Sequence, residues 1–312
     1  MLAVSLATFA LVAASPIDPV QANVGQQALM GMSAAKRAQL AEHWGAGTPL
    51  LERYALWAQG ALHGDWGVSL RYNAPVAQVV GERFASSCAL MLTAWVLSGA
   101  IGVLLGIVAG IHRDEPVDRG IHGACIVLSS TPAFWVGIVA LMVFSVALGW
   151  FPLGFSAPIG VHAADVSLLE RIHHMALPAL TLALTGVPSV ALHTREKTID
   201  VLESDYVRFA RARGLSTWGA LRHHGLRNLA LPALTLQFAS ISEIFGGSVL
   251  VEQVFSYPGL GQAAVTAGLG GDAALLVGIA LFSAAFVFTG NLIASTLYGV
   301  VDPRMRKGAA HG

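Results

Sequence analysis

The chain has 312 residues, of which 55% are hydrophobic and only 12% are charged, and its formal net charge is zero. Soluble domains carry roughly 25% charged residues, so this composition argues against a soluble globular protein. A net charge of zero says nothing about partners, and we expect no nucleic acid among them. Several windows lack charge over the ~20 residues that a helix needs to span a bilayer. We therefore predict an all-α polytopic membrane protein.

Six apolar segments predict about six transmembrane helices in a single domain over residues 1–312. They are Met1–Ser15, Cys88–Ile111, Gly120–Trp150, Met175–Thr194, Leu229–Val251 and Ala273–Val301. The first segment is short and ends in small residues, as a signal peptide does, but no basic residue precedes its apolar core. A signal peptide stays the alternative, and we favour a first transmembrane helix.

A long segment, residues 16–87, separates the first two spans. Ser33 has the position of a helix N-cap before a short helix. Pro49–His63 predicts a second helix, with several apolar and aromatic side chains. Pro75–Phe84 predicts a helix that leads into the second span.

Two proline patterns mark the spans. Ser129-Ser130-Thr131-Pro132 lies inside the third span, where proline frees a carbonyl group that neighbouring hydroxyls satisfy, so we predict a kink there. The hexapeptide Leu-Pro-Ala-Leu-Thr-Leu begins at Leu177 and again at Leu231. We predict that Pro178 and Pro232 lie in the first helical turn of the fourth and fifth spans.

A basic segment over residues 195–228 separates the fourth and fifth spans. Together with the other loops on its side, it holds twelve of the eighteen lysines and arginines, whereas the opposite side holds six over longer loops. Cytoplasmic loops carry the excess of lysine and arginine. We therefore predict that residues 195–228 and 302–312 face the cytoplasm, while residues 16–87 and 150–174 face outward.

The basic segment predicts two short helices. Ser204 is placed to cap the first helix and Gly214 to end it. Ser216 is placed to cap the second helix, which we expect to end near Gly225. The segment contains Arg208, Arg211, Arg213 and Arg222, with Arg195 and Arg227 at its flanks.

The first of these helices has two kinds of surface. Tyr206, Phe209 and Ala210 share one face by helical spacing, whereas Arg208 and Arg211 lie elsewhere. A docking surface for another protein and a basic helix resting on anionic membrane lipid explain this pattern equally well.

Motifs for nucleotide hydrolysis and metal catalysis are absent from the sequence. None of the three lysines follows a glycine, so there is no phosphate-binding Gly-x-x-x-x-Gly-Lys loop, and we expect no ATPase site. The zinc, nucleophile-elbow and Cys-x-x-Cys motifs are also missing, so we expect no cofactor and no metal site. Cys88 and Cys125 fall at opposite ends of their spans, so we expect packing residues rather than a disulfide.

Several short motifs together resemble the inner-membrane permeases of bacterial peptide and nickel ABC importers. They occur in order along nearly the whole chain: Ser15-Pro16-Ile17-Asp18-Pro19, Gly64-Asp65-Trp66-Gly67-Val68-Ser69, Pro132-Ala133-Phe134-Trp135, Asp205-Tyr206-Val207-Arg208 through Gly214, Arg227-Asn228 with Leu231-Pro232, Gly246-Gly247 to Glu252, Phe255 through Gly261, and Asp302-Pro303-Arg304. The glutamate that often opens the family's docking motif is replaced, with Arg208 at that point and Asp205 as the nearby acid.

The resemblance implies a multi-pass permease subunit of the bacterial inner membrane, without its own ATPase site. It implies a second permease, two cytoplasmic ATP-binding subunits and an extracytoplasmic substrate-binding protein as partners. The residues expected to couple ATP hydrolysis to transport are Asp205, Tyr206, Arg208, Arg211, Gly214, Arg227 and Asn228. Peptide, nickel, a metal chelate and glutathione stay open as substrates. A membrane-embedded enzyme and a passive channel are the alternatives of another class.

Four residues are candidates for the translocation path: Pro132, Glu243, Gly246 and Gly247. Glu243 falls ~12 residues into the fifth span, where an acid costs roughly 2.5–3.5 kcal/mol on insertion scales. We therefore expect it to face protein or a water-filled path rather than lipid. Two roles are open for its carboxylate, a hydrogen bond to a neighbouring helix and a place in the path or its gate.

Overall fold

The computed structural model describes residues 1–15, 32–33, 35–36, 49–158, 160 and 165–301. The elements of the first half are α1 (Leu2–Ala14), α2 (Leu50–Leu62), β1 (Val68–Ser69), β2 (Ala74–Pro75), α3 (Val76–Ile111), α4 (Pro116–Ser129) and α5 (Ala133–Ala140), which continues as a π-helical turn over Leu141–Ala147. The second half contains α6 (Leu168–Leu202), α7 (Asp205–Ala212), α8 (Thr217–Ala220) with a π-helical turn over Leu221–Gly225, α9 (Leu226–Ala239), α10 (Ile241–Val254), α11 (Leu260–Leu269) and α12 (Ala273–Val301). The chain forms two compact units, Met1–Cys88 with Pro258–Phe288, and Ala89–Tyr257 with Thr289–Gly312.

The first unit is held by an apolar cluster and by one buried acid. Val76, Leu260 and Leu275 are fully buried in the cluster, where α3, α11 and α12 meet. Asp272 is also fully buried, and its carboxylate accepts hydrogen bonds from the Ser69 hydroxyl at 2.6 Å and from the backbone N–H of Arg71 at 3.1 Å. The antiparallel β1–β2 hairpin is therefore fixed to the start of α12.

The helices predicted before the second span agree with the structure where it describes them. The helix predicted over Pro49–His63 is confirmed as α2. The helix predicted over Pro75–Phe84 is confirmed and is continuous with the second span as α3. Ser33 accepts a hydrogen bond from the N–H of Lys36 at 3.3 Å, as a cap does, but most of the helix predicted after it lies outside the described residues. Residues 302–312, which are predicted to face the cytoplasm, also lie outside the described residues.

In the second unit, α3 and α6 pack through a stripe of small residues. The stripe repeats every four residues on α3 as Ser98, Gly102, Gly106 and Gly110. A Cβ added at Gly102 would lie 2.7 Å from the Cβ of Val190, so the two backbones approach too closely for any larger side chain. Gly102 lies against Val190, and Gly110, two turns later, lies against Thr198. Helices α3 and α6 are therefore parallel. That direction agrees with the predicted alternation, in which both helices cross the membrane the same way.

The third span is broken rather than kinked. Helix α4 ends at Ser129, α5 begins at Ala133, and the two axes differ by 107°. The two ends of the α4–α5 pair bind distant points of α6: Asp118 binds Arg195, and the carbonyl of Trp150 accepts from His173. Those points on α6 are about 22 residues, or ~33 Å, apart at helical rise, close to the ~30 Å hydrocarbon core.

A second span is broken between α9 and α10. The apolar segment formed by Ala233–Ala239 and Ile241–Val254 bends by 50° at Ser240. Gln237, near the end of α9, donates to the carbonyl of Trp95, whose indole N–H donates back to the carbonyl of Gln237 at 2.7 Å. Leu229, earlier in α9, lies in one apolar cluster with Ile107, later in α3, so α9 runs antiparallel to α3.

The described residues thus contain three continuous membrane-length helices, or up to five spans if each bent pair is counted as one. Helix α1 has 13 residues, fewer than the ~20 that a span needs. A sixth span therefore stays a prediction. Cys88 and Cys125 are both free, and Cys125 is buried.

The predicted starts of the fourth and fifth spans are wrong. Helix α6 begins at Leu168, where Ser167 and Glu170 form a reciprocal capping box, so Pro178 lies in the helix interior. Helix α9 begins at Leu226, so Pro232 also lies beyond the first turn. Prolines are tolerated inside membrane helices because neighbouring groups satisfy the freed backbone.

Candidate functional site

Helix α7, in the middle of the basic segment, rests on the ends of three longer helices. Val207 and Ala210 are buried in an apolar cluster with Ile107 of α3, Val201 of α6 and Leu229 of α9. The contact with the long helices runs through Val207 and Ala210, whereas Tyr206 and Phe209 are exposed. The cluster fixes α7 rigidly to the membrane-spanning part of the chain.

The end of α7 is confirmed at Gly214, whose φ of +95° suits glycine. The N–H of Gly214 donates to the carbonyl of Arg211 at 2.9 Å, and the N–H of Leu215 donates to the carbonyl of Ala210 at 3.3 Å. These two bonds form a Schellman motif, which satisfies the last carbonyl groups of the helix.

The predicted caps agree with the structure in part. Ser216 is confirmed as the cap of α8, because its hydroxyl accepts from the N–H of Gly219 at 3.1 Å. Ser204 precedes α7, but its hydroxyl donates back to the carbonyl of Val201 and caps nothing. The predicted helix end near Gly225 is wrong, since the chain passes through the π-helical turn directly into α9.

The outer side of α7 and the start of α8 combine basic and aromatic side chains. We call this the α7 surface and define it by Tyr206, Arg208, Phe209, Arg211, Leu215 and Trp218, all exposed. Phe209 is 65% exposed and Trp218 is 53% exposed, although both are large and apolar. Arg208, Arg211 and Gly214 line an open concavity of about 750 Å³ with residues 215–217.

The charges of the α7 surface are available to a partner. Across the described ranges, neither Arg208 nor Arg211 forms an ion pair or hydrogen bond with another side chain. Exposed arginine, tyrosine and tryptophan are the residue types that dominate protein interfaces.

The other residues predicted for coupling lie around this surface. Asn228 donates its side-chain amide to the Tyr206 hydroxyl at 2.8 Å, which joins the start of α9 to α7. Asp205 lies exposed in the first turn of α7. Arg227 is within α9, but its side chain lies outside the described residues.

Arg195 is not part of the solvent-facing cluster that the sequence predicted. Its guanidinium binds both carboxylate oxygens of Asp118, each at 2.6 Å, and the two side chains are only 15% and 3% exposed. Asp118 also accepts from the N–H of Asp114 at 2.9 Å, and Arg195 also binds Glu196 at 2.6 Å. Sequence analysis missed Asp118, which lies 77 positions from its partner.

The candidates for the translocation path lie at or just after the two breaks. Pro132 is exposed immediately before α5, and Glu243 is exposed in the first turn of α10. Glu243 lies about midway along the segment formed by Ala233–Ala239 and Ile241–Val254, three residues after the bend, and its place in the translocation path stays a prediction. Within the described part of the chain, Glu243 has no hydrogen-bond partner.

The two glycines after Glu243 differ in their surroundings. A Cβ at Gly247 would lie 3.2 Å from Leu182 of α6, so Gly247 allows α10 to approach α6. Gly246 has nothing within 4 Å of its Cβ position and shares the open side of α10 with Glu243. The two glycines therefore have different surroundings: Gly247 lies in the contact between α10 and α6, and Gly246 lies on the open face of α10.

Comparisons with known proteins identify relatives over nearly the whole chain. The family described as "Binding-protein-dependent transport system inner membrane component" matches residues 102–307. The oligopeptide transport system permease protein AppB of Bacillus subtilis (strain 168) is 34% identical over 98% of this chain and 95% of its own length. The dipeptide transport system permease protein DppB of Escherichia coli (strain K12) is 31% identical over 97% of this chain and 94% of its own length. A putative peptide transport system permease protein of Brucella abortus (strain 2308) is 33% identical over 98% and 95%.

Proposed function

This chain belongs to the family of binding-protein-dependent transport system inner membrane components, and on that premise we propose that it forms the translocation path of an ATP-driven peptide importer. Family membership makes it a transport permease subunit of the inner membrane rather than an enzyme. The peptide substrate is inferred from two relatives that are oligopeptide and dipeptide permeases by name and match almost the full chain.

The energy for transport comes from separate ATP-binding subunits that dock on the α7 surface. This step depends on the pair of exposed arginines, Arg208 and Arg211, which lie beside exposed aromatic rings. The opposite side of the same helix is buried against the long helices through apolar residues. A partner that moves α7 therefore moves the ends of α3, α6 and α9 with it. The other partners are a second permease and an extracytoplasmic substrate-binding protein.

Orientation follows from the charge bias of the sequence. Residues 195–228 and 302–312 face the cytoplasm, and residues 16–87 and 150–174 face outward. The alternating helix directions agree with a chain that crosses the membrane back and forth, since α3 and α6 run parallel while α4–α5 and α9 run opposite to them. The charge bias alone assigns the cytoplasmic side. The α7 surface is then on the side where ATP is present.

The open face of α10 contributes to the translocation path. Glu243 and Gly246 are exposed on a membrane-length segment, where a carboxylate facing lipid is costly. A water-filled path between this chain and the second permease removes that cost. Pro132, which is exposed at the break in the third span, is the remaining candidate for this path.

Reconstitution of the whole transporter tests the function. The chain, its second permease, the ATP-binding subunits and the binding protein are placed in proteoliposomes, and labelled di- and oligopeptides or nickel are supplied. ATP-dependent uptake of peptide, unaffected by excess nickel, supports the proposal. Uptake of nickel or a metal chelate in place of peptide contradicts the substrate, and uptake without ATP indicates a passive channel.

A further inference from the structure

The buried pair of Asp118 and Arg195 joins the broken third span to α6. Both guanidinium-to-carboxylate bonds measure 2.6 Å, so the contact is bidentate and fixes the register of the two helices. The pair is largely shielded from water, at 3% and 15% exposure. Sliding α4 along α6 would leave two buried charges unpaired, which is strongly unfavourable.

Arg195 lies where three helices converge. A Cβ at Gly106 of α3 would lie 3.0 Å from the backbone nitrogen of Arg195, and a Cβ at Gly110 would lie 3.0 Å from its carbonyl oxygen. Helix α6 then continues without interruption for two more turns to Leu202, only three residues before α7 begins. The buried cluster shared by Val207 and Val201 joins α7 to this last stretch of α6, so a displacement of α7 reaches Arg195 along a continuous helix.

Beyond Asp118, the chain leads to the sharp break. Helix α4 runs from Pro116 to Ser129, and the chain turns by 107° into α5. Helix α5 packs on α10, where a Cβ at Gly137 would lie 3.3 Å from Val254. Helix α10 is the helix that presents Glu243. The pair thus stands between α7 and the broken third span, whose helix α5 contacts α10.

We propose that the Asp118–Arg195 pair is the positioning joint that makes the broken third span move with α7. The inference rests on the proposed docking of ATP-binding subunits at α7, and it adds the residues that transmit that movement inward. A merely apolar contact between α4 and α6 would hold the helices together but would allow them to slip. The bidentate pair prevents slip, because both bonds break together.

The test measures peptide uptake and ATP hydrolysis in the same reconstituted complex. Asp118→Asn and Arg195→Gln each remove one charge, and the double change Asp118→Leu with Arg195→Met removes both, so that no buried charge is left unpaired. Lys197→Gln is the matched control, since it removes an exposed ion pair to Asp200 on the same end of α6. Co-purification of all subunits measures assembly.

We expect each Asp118 or Arg195 variant to lower the ratio of peptide taken up to ATP hydrolysed by roughly tenfold, a coupling effect of ordinary size. The double variant assembles normally and shows the same loss, whereas Lys197→Gln keeps the wild-type ratio. If the assembled double variant keeps the wild-type ratio of peptide uptake to ATP hydrolysis, the inference is overturned. It is also overturned if uptake falls only in proportion to the loss of assembled complex. If the wild-type complex shows no ATP-dependent uptake at all, the proposed function fails instead.

Discussion

The Cβ position of Gly106 lies 2.5 Å from the Cβ of Thr194, so these two residues bring α3 and α6 into backbone contact. Gly106→Ala forces the helices apart, and overpacking of this kind costs about 1–3 kcal/mol. We expect a lower thermal unfolding temperature of the purified protein in detergent. Gly123→Ala in α4 is the control, because nothing lies within 4 Å of its Cβ position. Equal unfolding temperatures for the two variants would contradict the close contact.

Arg211→Glu tests the α7 surface. The change reverses a charge that has no partner among the residues described, so the chain should still insert and assemble with its second permease. We expect weaker binding of the ATP-binding subunits and uncoupling of ATP hydrolysis from peptide uptake. Arg119→Glu makes the same charge reversal at an exposed arginine of α4 that is not part of the α7 surface, and should leave binding of the ATP-binding subunits unchanged. Normal uptake by Arg211→Glu would count against docking at this site.

Two substitutions at Gly214 distinguish the effect of its backbone conformation from the effect of an added side chain. Its φ of +95° disfavours a β-branched side chain, whereas asparagine adopts this region more readily. We expect Gly214→Val to lose most ATP-dependent uptake because the Schellman motif is strained, and Gly214→Asn to retain much more of it. Uptake assays on membranes with equal amounts of each variant measure the difference. Equal loss in both variants would mean that the docked partner excludes any side chain.

Local patterns in the sequence predicted local structure. The turn at Gly214, the cap at Ser216 and the helix α2 depend on residues within a turn or two of one another, and all three are confirmed. Helix starts near Pro178 and Pro232 were wrong because proline is common at a first turn but is also tolerated deep inside a membrane helix.

Long-range contacts were not accessible in the same way. Nothing local indicates that Asp118 meets Arg195, so an arginine counted as solvent-facing is buried in an ion pair. The four-residue spacing from Ser98 to Gly110 is visible in the sequence and marks a close helix contact. The spacing does not say that α6 lies opposite, because that depends on the packing of the whole unit.

Membrane orientation is tested by labelling single cysteines in intact cells. Leu62→Cys, at a position that is 87% exposed on the outward segment, should react with a membrane-impermeant thiol reagent. Ala212→Cys, exposed at the end of α7, should react only after the membrane is permeabilised. Both variants are made in a background with Cys88 and Cys125 replaced by alanine. The reverse pattern of labelling would place the α7 surface outside the cell and overturn its proposed role.

Glu243 is the test of the translocation path. The residue is exposed just after the bend at Ser240, and Gly246 beside it leaves open space, so a substrate or a second subunit can approach the carboxylate. Glu243→Gln keeps the shape and removes the charge. We expect the complex to assemble while peptide uptake falls by about tenfold, equivalent to roughly 1.4 kcal/mol. Glu82→Gln, an exposed acid on α3, is the control and should transport normally. If uptake survives Glu243→Gln but Glu243→Leu prevents assembly, the carboxylate is a hydrogen-bonded contact to another subunit and not part of the path.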